Sequence, residues 1–359
     1  MLKLRNHIPM GAPARREIAD GTESDMRVSL GFVPGWYHKR CGIDFSEPWH
    51  KDPYYRHQSL KKMKHELCRS FPMIDYWDES KQDDLATLSG CYGAYVIPLV
   101  FGFPLIYKKD RWPEINPVKP KLSDQEIDKL NPDKIVNSPF VEELIEQMDI
   151  IEKEWGKIHG YLNWQGVLNN AFHLRGEQIF MDFYDKPDLT KYLFEVITEV
   201  MIKLAKMVQK RQRETGFYIN HFSVSNCTLN MISPETYQDF LLPLDQKIAS
   251  NFERFGFHTC NWNVTPYIEK IKKIPKLGYL DMGIMSNLAR VKSEFPETRR
   301  ALIYSPERLL RASLEEIKRD MVKVYLELSP CDIVMADIEA DTPDNKVKVF
   351  IDICKQLVS

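Results

Sequence analysis

The sequence has no surplus of basic side chains: 49 Lys and Arg stand against 51 Asp and Glu, a formal charge of −2 over 359 residues. Nothing is left over to neutralise a phosphate backbone, which argues against nucleic acid as the main ligand. A long apolar run is also missing. The longest stretch, Ala94 to Tyr107, is interrupted by Pro98, Gly102 and Pro104 and is too short to cross a bilayer, so no membrane contact is expected. Residues 1–20 mix Lys3, Arg5, Arg15 and Arg16 with polar residues and lack the apolar core of a signal peptide, which points to a cytoplasmic protein. The cysteines Cys41, Cys68, Cys91, Cys227, Cys260, Cys331 and Cys354 are odd in number, widely spaced and free of any C-x-x-C, as suits a reducing compartment. What is present is ordinary globular composition, 43% apolar and 28% charged, with length enough for a large core.

From about Gly216 onward one local grammar repeats: a short β-rich run, then a capped amphipathic segment. Phe217 to Val224 reads as a strand, and Ser233 and Pro234 as N-cap and first residue of a helix ending near Gly256. Phe257 to Cys260, Gly278 to Gly283, Arg300 to Tyr304 and Asp332 to Ala336 read as further strands, each followed by a helix. Ser313 and Glu316 form a capping box ahead of a face carrying Ile317, Met321, Val324, Tyr325 and Leu328. Such alternation requires a parallel sheet, open or closed. No G-x-G-x-x-G or Walker sequence sits at a strand-to-helix turn, which favours the α/β (β/α)₈ TIM barrel over a nucleotide-binding open sheet. The earlier half supplies Val96 to Phe101 as a strand, Tyr161 to Trp164, and a helix from Asp188 to Thr215 with Leu193, Val196, Ile197, Val200, Met201, Leu204 and Val208 as its apolar stripe. The expected division is residues 1–70 as an N-terminal extension and cap over the barrel mouth, and 71–359 as the barrel.

The sharpest chemical feature is His258-Thr259-Cys260. Residues i and i+2 of a strand share a face, so the imidazole and the thiol can reach one metal ion. In barrel enzymes chemistry collects at the C-terminal strand ends, where His258 and Cys260 fall and near which Asp281, Asp337, Glu339 and Asp341 also lie. Asn163, His221 and Asn226 are candidate substrate contacts around other strand ends, with buried hydrogen bonding as the competing account. Trp36, Tyr37 and Arg40 belong to an aromatic, charged segment reaching Arg56; it either covers the site mouth or fills a gap between barrel and extension.

The runs SPETYQDFLLPLDQKI (233–248), FHTC (257–260), LDMGIMSNLARVK (280–292) and ADTP (340–343) resemble the uroporphyrinogen decarboxylase superfamily. So do IPLVFGFPLIY (97–107) and LSDQEIDKLNP (122–132). That superfamily includes cobamide-dependent methyltransferases, and the fold it implies is a TIM barrel. True decarboxylases in it carry paired arginines in an N-terminal loop and an aspartate after an early strand. Here the loop VPGWYHKRCGIDFSE (33–47) has Arg40 but no such pair, and YVIPLVFG (95–102) has no aspartate, so porphyrinogen decarboxylation is not expected. The methyltransferase members bind zinc through a His-x-Cys and a later Cys. His258 and Cys260 match the first two, but Ala336 occupies the place of the late cysteine. Asp337 or Glu339 would then supply the third donor, with Asp337 nearer.

The resemblance therefore implies a metal-dependent methyltransferase moving a methyl group between a small methylated or methoxylated substrate and a corrinoid protein or thiol. Trp36, Tyr37, Arg40, Asn163, His221, Asn226 and Asp281 are the expected substrate contacts, and His258, Cys260, Asp337 and Glu339 the expected metal donors. Zinc is the expected metal, with the corrinoid carried by a partner protein and the chain itself paired as a homodimer. A decarboxylase of a small carboxylic acid, or a non-catalytic ligand-binding barrel, are the competing readings.

Overall fold

A computed structural model of the chain describes residues 5–7, 26–73, 87–219 and 221–358. Its strands are β1 (Arg5–His7), β2 (Met26–Phe32), β3 (Leu105–Ile106), β4 (Glu114–Ile115), β5 (His221–Ser225), β6 (Arg254–His258), β7 (Leu277–Met282), β8 (Arg299–Ile303) and β9 (Cys331–Ile338). The main sheet runs β1-β2-β9-β8-β7-β6-β5, parallel throughout, while β3 and β4 form a separate antiparallel pair. Beyond β5 the order continues through parallel bridges from Ser225 to Gln165 and from His159 to Thr87. In chain order the strand positions are thus β2, Thr87, 159–165 and β5 to β9, and the fold is the TIM barrel expected from the alternation.

The helices form where the capping chemistry places them. The Ser313–Glu316 capping box opens Leu314–Leu328, and Ser233 accepts from the Thr236 N–H ahead of Pro234–Phe240. The stripe from Leu193 to Val208 is wholly buried on the helix Pro187–Glu214. Two expectations need correction. Val96 to Phe101 is not a strand: Val96–Val100 is a short buried helix, with Pro98 tolerated in its first turn. A short, fully buried apolar run carries no periodicity to separate helix from strand. In addition, Met26–Phe32, inside the segment expected to lie over the barrel, is itself a barrel strand hydrogen-bonded to β9.

Two apolar layers result. Tyr279, Ala301, Ile303, Val334 and Ala336 make an interior cluster, and the larger outer core lies between strands and helices. At the N-terminal end of the strands Asp332 bridges β2 and β8. Its carboxylate takes Arg27 Nε at 2.8 Å and Arg299 Nε at 2.6 Å, with Arg299 almost fully buried. Asp332→Ala would remove the carboxylate that these two enclosed guanidinium groups share. It is expected to lower the unfolding free energy by about 3 kcal/mol or more, read as a drop in the urea midpoint. A midpoint matching wild type would show that the shared carboxylate is not what holds this end of the barrel.

Candidate metal centre

Register brings the site together. Ser225 pairs with His258 and Phe257 with Leu280, so β5, β6 and β7 end at one level of the rim. The ladder runs one residue further, with the Asn226 N–H donating to the His258 carbonyl at 2.8 Å. Cys227 consequently stands beside Cys260. One donor atom from each of Cys227, His258 and Cys260 lies within 4.8 Å of the other two. His258 Nε2 is 3.2 Å from Cys260 Sγ, which is 2.7 Å from Cys227 Sγ; neither cysteine is in a disulfide.

The imidazole is aimed from behind. His258 Nδ1 lies 2.6 Å from Asp281 Oδ2, and Asp281 is completely buried. The same carboxylate accepts from the Thr259 N–H at 2.6 Å and the Tyr279 hydroxyl at 3.0 Å. With its oxygens receiving donors, Asp281 takes the Nδ1 proton as a hydrogen bond and leaves the Nε2 lone pair facing the sulfurs. The Thr259 hydroxyl caps the Asp281 carbonyl at 2.6 Å. Past it the chain turns sharply, since Cys260 holds φ at +59°, a left-handed value that costs energy for a non-glycine residue. Gly283 permits the turn. A Cβ there would sit 1.7 Å from the Asn261 carbonyl oxygen, and its N–H donates to the Trp262 carbonyl at 3.0 Å.

Asp337 answers from the opposite wall. Leu30 pairs with Met335 but Phe32 with Ile338, so β9 carries one extra residue, a β-bulge, and Asp337 adopts φ +58°. Ala336 belongs to the interior cluster and Ile338 to the outer core. Simple alternation would have put Ile338 inside; the bulge reverses that and turns Asp337 toward the site. Burial pushes its carboxyl up to about 8, Glu339 and Cys227 adding to the rise and His258 and the Trp112 indole opposing it. Its Oδ1 is sealed from solvent without a hydrogen-bond partner.

The other expected residues are distributed unevenly. Asn226 is buried next to Cys227, and Asn163 accepts from Ser225 and Gln165 at the same rim. Glu339 is exposed beyond the bulge, and neither it nor Asp337 belongs to the set of donors within 4.8 Å. Asp281 has no face for substrate because it is spent on His258 and Thr259. His221 begins β5 rather than ending it, so it stands at the far end of the strand from the rim, stacked on Tyr161 at 5.3 Å. Trp36 and Tyr37 are fully buried, packed with Phe32 at 4.3 and 6.2 Å between ring centres. Arg40 lies 4.1 Å over the Trp36 ring and binds Asp344 through both guanidinium nitrogens, at 2.8 and 2.6 Å. Arg40 thus ties the helix Pro34–Cys41 to the last helix, Asp344–Val358, while Trp36 and Tyr37 pack against β2. Cys227 is the residue that sequence reasoning passed over, although a cysteine just beyond the β-rich run FYINHFSVS repeats the placement of Cys260.

The uroporphyrinogen decarboxylase (URO-D) family matches residues 84–357, and the chain belongs to that family. Among solved structures it is similar to a methyltransferase from Methanosarcina mazei, at 17% identity and a TM-score of 0.66, over 95% of this chain and 96% of that one. At that identity the likeness speaks to the fold. No curated protein matches.

Two outcomes follow for the donor set. Cys227→Ala should lower bound metal as severely as Cys260→Ala, with Glu339→Ala unchanged, by elemental analysis after equilibration with a divalent metal. Loss in Glu339→Ala alone would move the site to the β9 rim. Asp281→Asn should weaken metal affinity roughly 10- to 100-fold in chelator competition while the fold persists, since it removes the acceptor that fixes the His258 tautomer. Unchanged affinity would mean that the ring is held by packing alone.

Proposed function

We propose that this protein is a zinc-dependent methyltransferase, exchanging a methyl group between a small methylated or methoxylated substrate and a reduced corrinoid carried by a partner protein. The observation that carries the reading is the Cys227, His258, Cys260 set at the rim of a barrel of this family. Two sulfurs and one imidazole nitrogen are the soft, borderline donors that suit zinc, and three protein donors leave one position for a substrate atom. Zinc bound there supplies a Lewis acid for the heteroatom that carries or receives the methyl group. The chain's own residues do the rest. Asp281 accepts at Nδ1, which fixes the tautomer that presents Nε2 to a metal and holds the ring pointed inward, and the Thr259 N–H holds the carboxylate in turn. The β5 to β7 register holds the two thiols together on one side of the rim.

The decarboxylase reading receives less support. In the described early strand region, Thr87 to Gly102, no aspartate is present, and Arg40 is committed to Asp344. Incubated with zinc, a reduced corrinoid protein and a panel of oxygen, nitrogen and sulfur methyl donors, the protein is expected to shift the cobalt absorption spectrum with at least one donor. Cys260→Ala should abolish the shift, and coproporphyrinogen should not form from uroporphyrinogen. No shift with any donor, from protein shown to hold stoichiometric metal, would put a ligand-binding barrel ahead.

A further inference from the structure

A second concave site lies at the other end of the barrel from the rim. A cavity of about 330 Å³ opens between the helix Pro187–Glu214 and the segments that lead into β5 and β6. Ile219, Phe252 and Gln209 line it from the buried side, and Lys206, Lys210 and Arg213 from the exposed side. From here β6 runs five residues to His258, roughly 15 Å, so the cleft is remote from the metal donors.

The three cations recur at i, i+4 and i+7 and therefore share one face of the helix. The dipole at a helix C-terminus favours basic residues in the last turn, which accounts for Arg213 but not for Lys206 or Lys210. Like charges at this spacing repel one another, and the neighbouring carboxylates do little to offset them. Glu253, which lines the same cleft, accepts from the Tyr218 hydroxyl. Lys210 reaches Glu214 only at 3.9 Å, and the Lys206 ammonium donates to the neutral amide oxygen of Asn251 at 2.7 Å. Arg213 has no carboxylate partner among the described residues. On the same helix outside the cleft, by contrast, Arg211 binds Asp149 and Glu152, and Lys203 binds Asp133. In a chain of net charge −2, this surplus is a local feature and not a property of the composition.

We propose that the cleft binds a phosphate group, either as inorganic phosphate or as the phosphoryl end of a small organic ester. The Arg213 guanidinium offers forked donors that match phosphate oxygens, and the two ammonium groups supply the remaining charge for a dianion. Concavity focuses the potential of the three cations, and a cavity of this size holds one small anion and not a length of polymer backbone. A bound anion also removes the repulsion along the helix face. The site is independent of the methyltransferase reading, and no bond is made or broken in it.

Calorimetric titration of the full chain at low ionic strength, with inorganic phosphate and glycerol 3-phosphate as probes, tests this. Saturable binding at one site per chain is expected, weakened by added salt and roughly 10-fold or more in Arg213→Glu and, separately, in Lys210→Glu. Both positions are exposed, so the fold is retained. Lys318→Glu makes the same change of net charge at another exposed helix position and should stay within about twofold of wild type. Cys260→Ala, altered only at the rim, should also bind as wild type. Tighter binding of the ester would identify an organic phosphate as the ligand, and tighter binding of inorganic phosphate the free ion. No saturable heat with either probe, wild-type binding in Arg213→Glu and Lys210→Glu, an equal loss in Lys318→Glu, or a loss confined to Cys260→Ala would overturn the assignment.

Discussion

The buried carboxylate of Asp281 is the constraint around which the rim is built. A carboxyl group enclosed in this way is costly unless hydrogen-bond partners occupy its oxygens. The donors here are the His258 ring, the Thr259 backbone and the Tyr279 hydroxyl. Meeting that demand fixes more than the imidazole. It draws the end of β6 against β7, sets the Thr259 hydroxyl on the Asp281 carbonyl, and leaves Cys260 to take up the turn in a left-handed conformation. The orientation of one thiol is thus a consequence of satisfying a carboxylate that never meets the ligand.

The barrel supplies the second half of the arrangement through register rather than through any single contact. Parallel pairing levels the ends of β5 and β6, so side chains remote in sequence, Cys227 and Cys260, become neighbours. On the other wall the bulge in β9 breaks alternation by one residue and exchanges Ala336, which fills the interior cluster, for Asp337 as the residue facing the site. At the N-terminal end of the strands Asp332, between Arg27 and Arg299, locks β2, β8 and β9.

Much of this was legible in the sequence because it depends on local rules. Strand and helix alternation from Gly216 onward, the capping box at Ser313 and the stripe along Pro187–Glu214 follow from periodicity and hydrogen-bonding chemistry. The pair His258 and Cys260 was legible for the same reason, since i and i+2 share a face. Cys227 was not, because its partnership depends on inter-strand register, and searching for a cysteine near Ala336 looked at the wrong wall. The aromatic residues Trp36 and Tyr37 read either as cover for the mouth or as packing, and the structure buries both. Asp337 lay between the cases: two-residue alternation points it outward, and only a bulge, which leaves no mark in composition, turns it in.

The proposed chemistry requires that the sulfurs of Cys227 and Cys260 and the imidazole of His258 share one ion. X-ray absorption at the zinc edge of the loaded protein measures this without relying on turnover. The expected first shell has two sulfur neighbours at about 2.3 Å and a nitrogen at about 2.0–2.1 Å, with a light atom in the remaining position. A shell of oxygen and nitrogen alone, or one sulfur joined by carboxylate oxygens, would contradict it.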